Sequence, residues 1–129
     1  PHVFISNNHP LANKEEITIQ DLMQYPYLVF EQGKHNSFYF SEEFLSSLEF
    51  PKNIMMRDRA TLFNLLIGLN GFTVCSGIID TELNGENIIS KPLDSDCSMR
   101  IGILTRKNSV LSRYGVSYLN VLKNHLSID

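Results

Sequence analysis

The sequence predicts an α/β fold, a three-layer sandwich on a mainly parallel sheet. Short β-rich runs alternate with helical patterns across short polar loops, the order of a doubly covered sheet. The stretch 53–76, NIMMRDRATLFNLLIGLNGFTVCS, reads as strand, capped helix, glycine turn and second strand. Its helix carries Ala60, Leu62, Phe63, Leu65, Leu66, Ile67 and Leu69, leaving almost no polar face. A surface helix normally shows one apolar stripe, so this one requires cover on two sides. A length of 129 residues fits one domain spanning 1–129.

Taken in order, His2 to Ser6 is a β-rich run that stops at Asn7-Asn8, and His9-Pro10 breaks any regular element. Thr18 caps a short helix over residues 19–24, with Asp21 in its first turn, and Tyr25-Pro26 ends it. Residues 27–30 form an apolar strand. A loop over residues 31–36 follows, in which Gly33 permits positive φ. Ser37 then caps a helix bearing Phe40, Phe44, Leu45 and Leu48. Residues 54–56 are the next strand, and Asp58 opens the central helix, which closes near Asn70-Gly71. Residues 72–75 are a further strand. Residues 76–98 support only a turn near Asn84-Gly85 and a short strand at 88–91. A strand over 99–106 follows. Ser109 then caps a last helix with Leu111, Tyr114, Tyr118, Leu119, Leu122 and Leu126 on one face.

Ligands of parallel sheets sit beyond the carboxyl ends of the strands. Here those ends are polar: Ser6 and Asn7, then Glu31 through Gly33 and Asn36 to Ser37, then Arg57 and Asp58, then Ser76. Together they are candidates to ring one small molecule. Ser37 reads as a plain N-cap or as an anion site at a helix start. Arg57 could hold a carboxylate through two parallel hydrogen bonds, or be neutralised by Asp58 beside it.

Composition removes other classes. Eleven Lys+Arg against 14 Asp+Glu, with the basic residues scattered, give no footprint for a nucleic-acid backbone. No run is long and apolar enough to span a bilayer. Two separated cysteines, Cys75 in an apolar strand and Cys97 in a polar loop, fit a reducing cytoplasm rather than a disulfide scaffold. Burial is favoured over reactivity for Cys75. His2, His9, His35 and His125 form no metal-binding pair, and no Gly-x-Ser-x-Gly elbow is present, so neither metal, cofactor nor catalytic residue is assigned. The chain begins at Pro1 without Met or signal-like regions and reads as a piece of something longer.

His9-Pro10-Leu11-Ala12, then Asp21-Leu22 with Tyr25-Pro26, then GLNGFTV, IISKPL and MRIGILTRKNSVLS, form an ordered succession over essentially the whole chain. In this order and spacing the chain resembles the effector-binding domain of LysR-type transcriptional regulators. The resemblance implies two α/β subdomains joined by two crossover strands, like a periplasmic solute-binding protein, with this chain as the second subdomain. Residues 1–8 and 99–106 would be the crossovers, and the helix 109–126 would pack on the first subdomain. The winged helix-turn-helix would lie outside this sequence, so DNA is contacted only through an absent segment. The family comparison further implies a small effector in the cleft, with Ser6 facing it. Arg57 stands where many relatives carry a smaller polar residue, which adds positive charge and favours an anionic effector. Ser76 stands where Pro is common. In the family the central helix packs on a partner subunit in a homodimer, which nominates Leu62, Phe63 and Leu66 as contact residues, exposed in this chain or buried by self-association. The rival reading is a solute-binding protein or a small α/β enzyme using Cys75.

Overall fold

Strand β1 (His2–Ser6) is buried on both faces, Val3, Phe4 and Ile5 all lying in the core, as a strand covered by two layers must be. The structure is a computed structural model and describes residues 1–31, 45, 49–99 and 102–126. The chain divides into two compact units, Pro1–Met99 and Arg100–Asp129.

In the first unit β1 is flanked by β5 (Thr73–Cys75) and β6 (Ile88–Asp94), and β6 carries the two-residue β2 (Ile17–Thr18) on its other side. A second pair joins β3 (Tyr27–Phe30) to β4 (Asn53–Met56). A parallel bridge between Tyr27 and Phe72 links the two groups. The pairs β2–β6 and β3–β4 are parallel, whereas β1 is antiparallel to both neighbours. The expected α/β class is therefore the class observed, in a mixed sheet.

Local signals explain most elements. Thr18 and Asp21 make a reciprocal capping box around α1 (Ile19–Leu22): the Thr18 hydroxyl accepts from the Asp21 N–H, and the Asp21 carboxylate accepts from the Thr18 N–H at 3.0 Å. Lys14, 2.5 Å from the same carboxylate, is the main reason its pKa falls to about 2. Asp58 caps α2 (Arg59–Gly68), its carboxylate accepting from the Thr61 N–H at 2.8 Å. The helix ends where Asn70 takes φ +48° and Gly71 packs so closely on Leu28 that a Cβ there would lie 2.9 Å from it.

Helix α2 packs on β1 and β3. Leu62 and Leu66 are 1% and 0% exposed, inside the unit's own core. This corrects the expectation for Leu62 and Leu66, which are neither exposed nor left for self-association to bury, and leaves Phe63 half-buried. Spacing of 3.6 residues per turn turns 62 and 66 together toward the sheet, leaving Ala60 and Ile67 outside with Phe63 half-buried at their margin. Below the helix Tyr27 stacks on Phe72 at 5.0 Å, with Phe50 edge-on to Phe72 at 5.3 Å.

Several boundaries differ from expectation. Strand β2 and helix α3 (Thr81–Asn84) were not anticipated, and β6 continues through Pro92 to Asp94. The helix expected after Ser37 lies outside the described residues except Leu45, which is buried. The strand expected over 99–106 is absent from residues 102–106, which carry no regular element. In the second unit α4 (Arg113–Leu126) starts later than expected, and Ser112 rather than Ser109 holds the capping place. Its hydroxyl accepts from the Gly115 N–H at 3.2 Å, while the Ser109 hydroxyl donates to the Arg106 carbonyl.

The face assignment of α2 makes a stability prediction. Leu66→Ala leaves a void in a closed core and should cost about 2–5 kcal/mol. Ile67→Ala, at a position 41% exposed, should cost less than about 1 kcal/mol. Urea denaturation of the two variants checks the ranking, and equal losses would contradict the orientation.

Candidate functional site

Phe30 lies opposite Met56 in the parallel β3–β4 pair, so Glu31 and Arg57 leave adjacent strands at the same level. The ladder continues to that point, since the Glu31 N–H donates to the Met56 carbonyl at 2.8 Å. The bridge from Tyr27 to Phe72 is also parallel, so β5 runs toward the same end, with Ser76 following its last residue. Strand spacing is about 4.8 Å, so Glu31 and Arg57 stand side by side across neighbouring strands. Strand β1 runs the other way, so its first residue joins this end: His2 lies directly opposite Cys75.

Arg57 and Glu31 form a two-pronged ion pair. Arg57 Nε donates to Glu31 Oε2, and Nη2 donates to Oε1 at 3.3 Å. Both side chains are open to solvent, at 84% and 45% exposure. The hydrogen bond from Arg57, then its charge, holds the Glu31 carboxyl below the usual range, and Glu31 in turn raises Arg57. Among the described residues, the other two charges nearby are already engaged. Asp58 is lowered chiefly by the Thr61 backbone N–H that it caps. The Arg59 guanidinium lies over the rings of Phe30 at 5.9 Å and Phe63 at 6.0 Å.

The sequence candidates therefore separate. Glu31, Arg57 and Asp58 come together, with Ser76 after β5 at the same end of the sheet; Gly33, Asn36 and Ser37 lie outside the described residues. Ser6 and Asn7 are corrected. The polarity of β1 puts them at the opposite end of the sheet, where Ser6 pairs with Ile88. Ser6 is 2% exposed and its hydroxyl accepts from the Asn8 N–H at 3.2 Å, while Asn7 Nδ2 donates to the Glu86 carbonyl at 3.1 Å. These are turn-forming roles.

That opposite end is locked by His9. The Leu11 N–H can only donate, so Nδ1, 3.1 Å away, accepts, and the proton sits on Nε2, which donates to the Asn70 carbonyl at 3.0 Å. Burial holds the His9 pKa below 6.5, keeping this neutral form. The ring also packs 4.4 Å from Tyr25, so the His9-Pro10 turn, the end of α2 and the entry to β3 are tied together.

His2, placed at the ligand end, was missed by sequence reasoning. Its ring lies so close to Gly77, at φ +95°, that a Cβ there would be 2.5 Å from Nδ1. That nitrogen is buried without a hydrogen-bond partner among the described residues. Cys75 is half-buried across from it. Among the described residues no three His, Cys, Asp or Glu side chains converge on a possible metal position, and no helix is long and apolar enough to cross a membrane. An exposed guanidinium fork and a carboxylate in register are suited to holding and orienting a small polar molecule.

Comparison with known proteins adds the following. The family model of the LysR substrate binding domain matches residues 1–127. No curated protein matches. HinK, a LysR family transcriptional regulator from Pseudomonas aeruginosa, superposes with TM-score 0.60 at 12% identity, covering 97% of this chain and 44% of its own. A putative LysR family regulator from the same organism gives TM-score 0.63 at 14% identity, with the same coverage. The effector binding domain of QuiR in complex with shikimate gives 0.60 at 17% identity, covering 96% of this chain and 59% of its own. The chain thus spans less than half the length of the two regulators. At these identities the likeness establishes the fold.

The ion pair sets a titration. Arg57→Gln removes the partner that lowers Glu31, so the Glu31 carboxyl should move up toward its ordinary value of 4.5. A pH titration of the side-chain carboxyl by NMR in both proteins measures this. An unchanged midpoint would show that the pair is not formed in solution.

Proposed function

Because the chain belongs to the LysR substrate binding domain family, we propose that it is the effector-sensing part of a DNA-binding transcription regulator, and that its effector is a small carboxylate-bearing metabolite. One observation carries this reading: Glu31 and Arg57 leave the carboxyl ends of paired parallel strands at one level and bind each other, where α/β sheets receive ligands, with Ser76 after β5 at the same end. The Arg57 fork matches a carboxylate in geometry and charge. The bound shikimate of the QuiR domain, itself a small carboxylate, gives a precedent in a similar fold. The loop carrying Gly33, Asn36 and Ser37 belongs to the same proposed site by its position after β3.

In this reading the site is one wall of a cleft, and the parent protein supplies the other wall and the DNA-binding segment. Residues 1–8 would cross between subdomains, and α4 would belong to the other one. A homodimer would use the outward strip of α2, Ala60 and Ile67 with the edge of Phe63, in place of the buried Leu62 and Leu66. Ligand controls such a protein only by binding two arrangements of it unequally.

The test is a thermal-shift and calorimetric screen of small carboxylates, shikimate included, against the wild-type protein and Arg57→Gln. A carboxylate that stabilises the wild type should lose about tenfold or more in affinity on losing the charged fork. Equal affinity in the two proteins would exclude Arg57 as the anchor.

A further inference from the structure

Resting on that reading of the site, we infer that Glu31 selects the effector class: a zwitterion of the α-amino-acid type, carrying an ammonium beside its carboxylate, rather than a simple anion. The inference starts from charge. Among the described residues, two positive and two negative side chains gather here, Arg57 and Arg59 with Glu31 and Asp58. Asp58 is spent on the first turn of α2, and Arg59 lies over Phe30 and Phe63. That leaves Glu31 and Arg57, bound to each other and both exposed, as the charges offered to a ligand.

A ligand with only a carboxylate meets a position already occupied. If it displaces Glu31 from Arg57, it strands a carboxylate beside itself; if it takes the remaining N–H groups of Arg57, two carboxylates crowd one guanidinium. Either arrangement sets like charges in contact, which opposes binding. An α-amino acid resolves the conflict, because its carboxylate takes Arg57 while its ammonium, two bonds away, takes Glu31. One ion pair is exchanged for two, and the pair that opens is an exposed one of the kind that adds little stability.

The experiment measures affinity by calorimetry for the twenty standard L-amino acids, for the des-amino carboxylates of those that bind, and for shikimate, in wild type, Glu31→Gln and Arg57→Gln. Glu31 is exposed, so its amide variant should fold normally, which circular dichroism checks. At least one amino acid should bind the wild type about tenfold tighter than its des-amino counterpart, a preference that Glu31→Gln abolishes. If shikimate or another carboxylate without an ammonium binds the wild type as well as any amino acid, or if Glu31→Gln keeps the preference, the inference is overturned while the Arg57 anchor stands. If Arg57→Gln changes nothing, or no probe binds at all, both readings fall.

Discussion

Strand β1 lies between β5 and β6, antiparallel to both and buried on both faces, and its direction decides which residues can share a ligand. Had it run with its neighbours, Ser6 would stand at the carboxyl ends beside Glu31 and Arg57. Running against them, it delivers His2 to that end and sends Ser6 and Asn7 to the other. Reversing it would unmake every pairing with β5 and β6. The direction is therefore as fixed as the sheet itself, and the division of labour between the two ends follows from it.

The two ends are built differently. At one, His9 joins the turn after β1 to the C-terminus of α2 and to Tyr25, and Gly71 admits the close approach of Leu28. Ser6, Asn7 and His9 there spend their polar groups on hydrogen bonds within the fold. At the other, the α2 cap takes Asp58 and the aromatic pair takes Arg59, while Glu31 and Arg57 stand open to solvent. Helix α2 connects the two ends, anchored through Leu62 and Leu66, and so holds the level of Arg57 relative to the sheet.

Much of this was legible in the residues. Thr18 and Asp21, Asp58, and Asn70-Gly71 announce caps by side-chain chemistry, and the caps are where the residues place them. Strands β1, β3 and β4 are legible as short apolar runs between turn signals. Strand polarity is not, because an extended run reads alike in either direction and only its partners distinguish them. The strand read at 88–91 runs on through Pro92 to Asp94, because pairing with β1 extends to His2 opposite Pro92. For α2, apolar residues all round hid the inward face, which the buried pair Leu62 and Leu66 defines only once the sheet is in place. The strand read at 99–106 shows the reverse error: its apolar alternation is sound, but a strand needs a partner, and residues 102–106 have none within the described residues.

The proposed effector meets Glu31 and Arg57, at the sheet end that also carries Ser76, and not the turn at Ser6. Backbone amide shift mapping by NMR tests it most directly, with whichever carboxylate binds the wild-type protein most tightly. The account predicts the largest changes at residues 31, 57–58 and 75–77, with residues 6–9 and Asn70 unmoved. Changes concentrated at Ser6, Asn7 and His9 would contradict it.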